Sequence, residues 1–228
     1  MNKVVISLCD YTTEAAKPWA ENGYDCYCFD SQHEDTIKIS YGTGSITKVS
    51  GKIEDNFLFI VGLIKKGVAF AMAFPTCTDL AVSGAAHFDK KRKEDPDFQH
   101  KAMRFFSLCE HICLISGAPY FIENPVSRIS TMWRKPDFNF HPYEFGGYLP
   151  KKDSNPISEI IPSRDAYPKK TCLWVGNGFI FPKKILVKIP NGYSSQYKKL
   201  GGKSIKTKNI RSATPRGFSK AVFLNNRS

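Results

Sequence analysis

Apolar residues fall along the chain in short runs separated by turn formers, and the first 30 positions read as a β-α-β unit. Val4, Val5, Ile6 and Leu8 make a β-rich run, residues 14–22 suit a helix that Gly23 ends, and residues 24–29 form a second strand. A strand, a helical crossover and a strand in that order predict a parallel sheet. Its ligand crevice lies at the strand carboxyl ends, where Asp10 and Asp30 fall. Residues 31–56 keep no clear period, and Tyr41-Gly42-Thr43-Gly44-Ser45 marks a turn within a hairpin insertion. Residues 68–74 are the next apolar strand, and the charged stretch 89–97 reads as a mobile loop. Over residues 98–115, Met103, Phe106, Leu108, Ile112 and Ile115 recur at helical spacing, with Gly117 as a stop. Residues 120–122 and 171–175 are further strands. Residues 133–150, rich in Pro, Gly and aromatics, form a long loop suited to binding, and Trp133 and Trp174 read as core residues. Thr214 is placed to cap a last helix opened by Pro215 and continued by Phe218, Ala221, Val222 and Leu224. No internal repeat interrupts the order.

The 228 residues suit one α/β domain spanning 1–228, with a basic segment 166–228 packed on it or extending from it. A hydrophobic fraction of 42% with 17 Phe and 10 Tyr argues for a packed globule, and no apolar run nears the roughly 20 residues that cross a bilayer. A soluble protein without a membrane partner is expected. Met1-Asn2-Lys3 leads straight into the first strand rather than into a secretory leader. Seven cysteines, irregularly spaced, fit neither a disulfide framework nor paired metal ligands, and buried thiols of this kind suit a reducing cytoplasm.

Charge changes the picture at the C-terminal end. Every acid lies at or before Asp165, whereas 14 cations follow it. Removing those 14 from the net +12 leaves residues 1–165 at −2. Lys169, Lys170, Lys203, Arg211 and Arg216, with Tyr193, Tyr197 and Phe218 interleaved, make an electrostatic footprint for a nucleic-acid backbone. A solvated basic surface is the simpler alternative.

Two strings carry chemistry. Phe74-Pro75-Thr76-Cys77-Thr78 puts a cysteine on a proline turn after one apolar run, and Ile122-Glu123-Asn124-Pro125 puts an acid at the end of another. A thiolate adds to an electron-poor ring when a carboxyl group protonates that ring, and parallel strands would deliver both groups to one sheet edge. The bland readings are a structural thiol, a carboxylate binding backbone amides, and an Asn124 that only shapes the turn before Pro125.

These strings resemble the DNA cytosine-5 methyltransferases, and more closely a set of short phage-type methyltransferase-like proteins. Cys77 resembles the family's Pro-Cys nucleophile, and Glu123-Asn124-Pro125 its Glu-Asn-Val motif. Shared with the phage-type proteins are Glu123 to Val126, Arg134-Lys135-Pro136-Asp137, Phe145-Gly146, Lys170-Thr171-Cys172-Leu173-Trp174 and the segment 211–218. Tyr197-Lys198-Lys199-Leu200-Gly201 is similar to the family's late cofactor-side motif. The resemblance implies a Rossmann-like methyltransferase fold, with a mostly parallel sheet, helices on both faces and a reduced or absent target-recognition domain. It implies attack by Cys77 on cytosine C6 with Glu123 at N3, and a methyl group from S-adenosylmethionine held by Asp10, Asp30 and Pro75. Asn124, Lys169, Lys170, Thr171, Lys203, Arg211 and Arg216 are the residues expected to meet DNA or a pyrimidine nucleotide. The chain departs from the family at its first turn, where Cys9-Asp10-Tyr11-Thr12-Thr13-Glu14 holds no glycine. That departure motivates an alternative, an inactive methyltransferase-fold protein that binds nucleic acid or a host defence component. A third reading keeps the covalent chemistry with a free nucleotide or another donor.

Overall fold

A computed structural model describes residues 3–157, 160–190 and 204–227. Eight strands form one sheet: β1 (Val4–Leu8), β2 (Asp25–Asp30), β3 (Ile37–Tyr41), β4 (Gly44–Ser50), β5 (Val68–Ala73), β6 (Tyr120–Pro125), β7 (Phe138–Phe140) and β8 (Thr171–Gly176). Their order across the sheet is β3-β4-β2-β1-β5-β6-β8-β7. The α-helices are α1 (Lys17–Glu21), α2 (Phe57–Lys66), α3 (Phe88–Glu94), α4 (Phe98–Ile115), α5 (Ile129–Met132), α6 (Ile205–Ser212) and α7 (Arg216–Asn226).

The sheet is mixed, parallel as expected only in part. Four pairings, β4-β2, β2-β1, β1-β5 and β5-β6, are parallel. Three are antiparallel: β3-β4, β6-β8 and β8-β7. The first reversal follows from the turn at Gly42-Thr43, too short for a crossover. Gly44 is required there, because a Cβ would lie 2.2 Å from the Tyr24 carbonyl oxygen. The second arises because β8 inserts between β6 and β7, so β7 runs in the direction of β6.

Alternation along the strands divides the core between two faces. Val5, Phe70, Met72, Phe121 and Leu173 pack against α1 and α7 through Trp19, Phe218, Val222 and Phe223. Ile6, Leu8, Ala71, Ala73, Ile122 and Trp174 face α2, α4 and α5 through Ile60, Leu63, Phe106, Ile112 and Ile129. Helices therefore cover both faces. Each such large apolar side chain removed from water contributes about 1.5–3 kcal/mol.

Several local expectations change. The first helix is only Lys17–Glu21, because Thr13 takes φ 59° and residues before it form a closed turn. Residues within 89–97 form most of α3 rather than a loop, anchored by Phe88 against the Phe98 ring at 5.7 Å. Thr214 makes no cap; Asp165 Oδ2 accepts the Gly217 N–H of α7 at 2.9 Å instead. Trp174 is fully buried as expected, while Trp133 stays 43% exposed. Lys203, Tyr193 and the string 197–201 lie outside the described residues. No helix among the described residues is long and apolar enough to cross a membrane.

Candidate active site

Because β1, β2, β4, β5 and β6 run in one direction, their carboxyl ends share one edge of the sheet. Cys77 lies in the loop after β5. Its carbonyl accepts the Leu80 and Ala81 N–H groups at 3.0 and 2.8 Å, so the loop turns tightly at this residue. The neighbouring loop after β6 holds it: Val82 N–H donates to the Val126 carbonyl at 3.0 Å and Arg128 N–H to the Leu80 carbonyl at 2.9 Å. Asn124, 1% exposed, completes the link by donating Nδ2–H to the Pro75 carbonyl at 2.8 Å. Its Oδ1 is buried with no partner among the described residues.

Glu123 lies inside β6, not at its end, since β8 pairs alongside it with Glu123 opposite Leu173. Burial raises its carboxyl pKa, opposed by the Lys169 ammonium. No side-chain hydrogen bond to the Glu123 carboxylate occurs among the described residues. Burial likewise raises the half-buried Cys77 thiol, and the Glu123 charge raises it further, while Lys169 and Arg211 lower it. Four residues expected for the site, Cys77, Glu123, Lys169 and Arg211, thus lie near enough for the charges of the last three to act on the thiol. Lys169 arrives because antiparallel β8 starts where β6 ends, with Thr171 opposite Pro125. Its Nζ donates to the Arg211 carbonyl at 2.9 Å, joining β8 to α6.

Other expected residues are engaged elsewhere. Thr171 is 1% exposed and donates its hydroxyl to the Lys169 carbonyl, so it shapes the approach to β8 instead of facing a ligand. Arg216 forms a two-pronged ion pair with Asp153 at 2.9 and 2.6 Å and lies 4.0 Å from Asp165. That geometry fastens α7 to the preceding loop and withdraws the guanidinium from any nucleic-acid surface. Lys170 is exposed at the same edge.

The strings Arg134 to Asp137 and Lys170 to Trp174 also serve the fold. Arg134 pairs with Asp137 at 2.8 Å, whose Oδ2 accepts the Val175 N–H, and the Trp174 indole donates to the Arg134 carbonyl at 3.0 Å. Phe145-Gly146 meets Gly217, where a Cβ would lie 2.5 Å from the Phe145 carbonyl oxygen. These contacts explain the residue types without a ligand.

A cavity of about 320 Å³ opens beside the cysteine loop at the ends of β1, β2, β4 and β5. Asp30, Ile53, Glu54 and Phe105 line one part, and Cys9 and Thr76 border the part next to Cys77. The Gln32 N–H fixes Asp30 Oδ1 at 2.8 Å, which leaves Oδ2 without a protein partner among the described residues. A carboxylate beside apolar walls suits a nucleoside, with vicinal hydroxyls on the acid and a base against Ile53 and Phe105. Of the three residues expected to hold a cofactor, Asp30 alone borders this cavity. Pro75 is buried and its carbonyl is taken by Asn124. Asp10, 3% exposed, accepts the Ser7 hydroxyl at 2.7 Å and the Thr13 N–H at 2.8 Å, and burial raises its carboxyl pKa to about 6. It is a staple of the first turn. Cys9 and Thr13 take φ 58° and 59°, the left-handed conformation usually left to glycine, so the turn is made without glycine at some strain.

Sequence reasoning missed Ile53, Phe105, Thr76 and Cys9 as cavity residues. The periodicity around Ile53 gave no signal, and Phe105 sits on a helix otherwise read only for its core face. Neither a protein-family model nor a curated protein sequence matches this chain.

Proposed function

We propose that the protein is a pyrimidine C5 methyltransferase acting on DNA through a cysteine-base adduct, with S-adenosylmethionine as donor. The observation that carries this reading is that the Glu123 charge acts on the Cys77 thiol, in the loop whose Thr76 borders a cavity shared with Asp30. The strand order supports it. With β3 and the reversed β8 set aside, the remaining strands follow the 3-2-1-4-5-6 order of a doubly wound dinucleotide-binding sheet, whose ligands bind where the order turns back, between β1 and β5.

In this reading the Cys77 thiolate forms a bond to C6 of the pyrimidine, the C5–C6 π pair shifts towards C5 and N3, and N3 takes the proton of Glu123, which is left as the carboxylate. Burial raises the carboxyl pKa of Glu123, the direction that favours the protonated form a general acid needs. Lys169 balances the negative charge that the thiolate and carboxylate bring to one place. Adenosylmethionine would supply an electrophilic methyl group for the activated C5, with its ribose hydroxyls on Asp30 and its base near Ile53 and Phe105. Loss of the C5 proton to water, expulsion of the Cys77 thiolate from C6 and return of the N3 proton to Glu123 then restore the ring. A paired base does not reach Cys77, so the substrate is single-stranded or flipped outward.

The first turn favours a second reading, a protein that keeps this architecture for binding nucleic acid or a host defence component. Asp10 is used up within the turn, and the strained Cys9 and Thr13 stand where glycine would admit a close ligand. Incubation with methyl-labelled adenosylmethionine and cytosine-containing DNA separates the two. Label on DNA from the native protein, absent with Cys77→Ser, is the expected result; salt-sensitive DNA binding without label would establish the second reading.

A further inference from the structure

The sheet edge continues past Lys169 in a direction that the chemistry above does not use. β7 runs with β6, so its carboxyl end reaches the same edge, and the register Phe140 opposite Thr171 sets His141 beside Lys170. His141 and Tyr143 are half-buried, and their rings stack at 5.6 Å with an interplanar angle of 27°. Lys184, on the extended segment that follows β8, reaches the same place: its Nζ is 3.0 Å from Glu144 Oε2. The Lys170 and Lys184 charges both act on the His141 ring, lowering its pKa along with burial, while Glu144 opposes them. Glu144 is the acid in this cluster; it accepts the His141 N–H at 2.9 Å, and its pair with Lys184, unlike the largely buried one of Arg216, leaves the ammonium at a water-exposed position where a phosphate competes for it. Lys169 and Arg211 act on the cysteine, Lys170 follows Lys169 in the chain beside His141, and Lys184 acts on the same ring, so cations connect the cysteine to a paired aromatic platform.

We infer that this line is the track of a single-stranded DNA substrate, its phosphates following Lys169, Lys170 and Lys184 and one base beyond the target stacking on the His141–Tyr143 pair. The inference rests on the reading of Cys77 as the reacting centre and narrows its DNA substrate to a single strand. Two features select a single strand. A cationic groove interleaved with an aromatic ring binds unstacked bases regardless of sequence, and a duplex keeps its bases from such a platform. A free nucleotide has no second phosphate or second base with which to use residues beyond Lys169.

The test is fluorescence anisotropy with a labelled oligodeoxycytidine, its unlabelled duplex and deoxycytidine monophosphate as competitors, across a series of salt concentrations. The single strand should compete far better than either alternative. Tyr143→Ala should weaken its binding by about 5- to 100-fold. Lys170→Ala with Lys184→Ala, both at exposed positions, should reduce the slope of log affinity against log salt by about 1.4, at about 0.7 per phosphate contact. None of these changes should alter binding of the monophosphate. Unchanged affinity and slope in these variants, or a monophosphate that competes as well as the oligomer, would overturn the inference. Cys77→Ser serves as the separating control: if it binds the oligomer normally and the native protein transfers no methyl group, the proposed reaction fails while the track stands.

Discussion

Asp10 follows β1 and Glu123 lies in β6, and burial at the same sheet edge raises the carboxyl pKa of both. Their surroundings differ in what is left over. Asp10 has both oxygens occupied, by Ser7 and Thr13, and so closes a turn. Glu123 feels the Lys169 ammonium and acts by its charge on the Cys77 thiol, with no hydrogen-bond donor to its carboxylate among the described residues. A buried acid whose partners are complete is part of the fold, while one whose partners are only charges is poised for a ligand. The comparison also ranks Asp30 with Glu123, since one of its oxygens is free at the cavity.

The largest effect expected from this contrast is in Cys77→Ser, which should lower methyl transfer by about 10³-fold or more with unchanged circular dichroism. A substitution that leaves turnover intact would exclude the adduct. Next, Asp30→Ala should weaken adenosylmethionine binding in calorimetry by about 10- to 100-fold, because a hydrogen-bonded charge is lost from the cavity. Asp10→Ala should do the reverse: it leaves the buried Ser7 hydroxyl and Thr13 N–H without their partner, which costs about 2–3 kcal/mol in denaturant unfolding. If Asp10→Ala abolishes binding without loss of stability, the contrast between the two acids breaks.

The same pair predicts a pH dependence. Burial raises the Asp10 carboxyl to a folded pKa of about 6, above the roughly 3.9 of a free aspartate, so the folded protein binds its proton more tightly. Stability from this group is therefore greatest below about pH 4, falls as pH rises towards 6, and is level above that, a loss of about 2–3 kcal/mol. Asp165, also raised to about 6 by burial, adds a slope of the same sign, whereas Asp153, lowered by Arg216, contributes the opposite sign at more acid pH. Asp10→Asn isolates the first contribution: its unfolding free energy should lack that part of the slope between pH 4 and 6.

A smaller effect sharpens the active half. Glu123→Gln removes the anion that raises Cys77, so the thiol should alkylate with an apparent pKa below that of the native protein. Lys169→Met should move it upward. Equal titration curves for all three proteins would separate the thiol from its supposed neighbours.

The elements legible in the sequence were those whose pattern is local and complete. Residues 98–115 form α4 as read, since its apolar spacing is long enough to exceed one turn several times over. The strand at 4–8 was equally clear. β3 was not, because its residues are almost wholly exposed and show no inward-outward alternation. β7 has only three residues, and nothing local announces that β8 inserts beside it in the opposite direction. For the site, Cys77 and Glu123 stood out because each ends an apolar run on a turn-forming string. Lys169 joins them only through the register of β6 with β8, and Arg216 was misplaced because its partner Asp153 is 63 positions away. Basic composition located the charge but did not tell which cations the fold had already paired.

The most direct test of the central claim is the mass of the protein after incubation with adenosylmethionine and single-stranded DNA carrying 5-fluorocytosine, whose C5–F bond blocks the final elimination. The account predicts a stable protein-DNA adduct that maps to Cys77 and is lost in Cys77→Ser. An unmodified Cys77, under conditions where the DNA is bound, would contradict it.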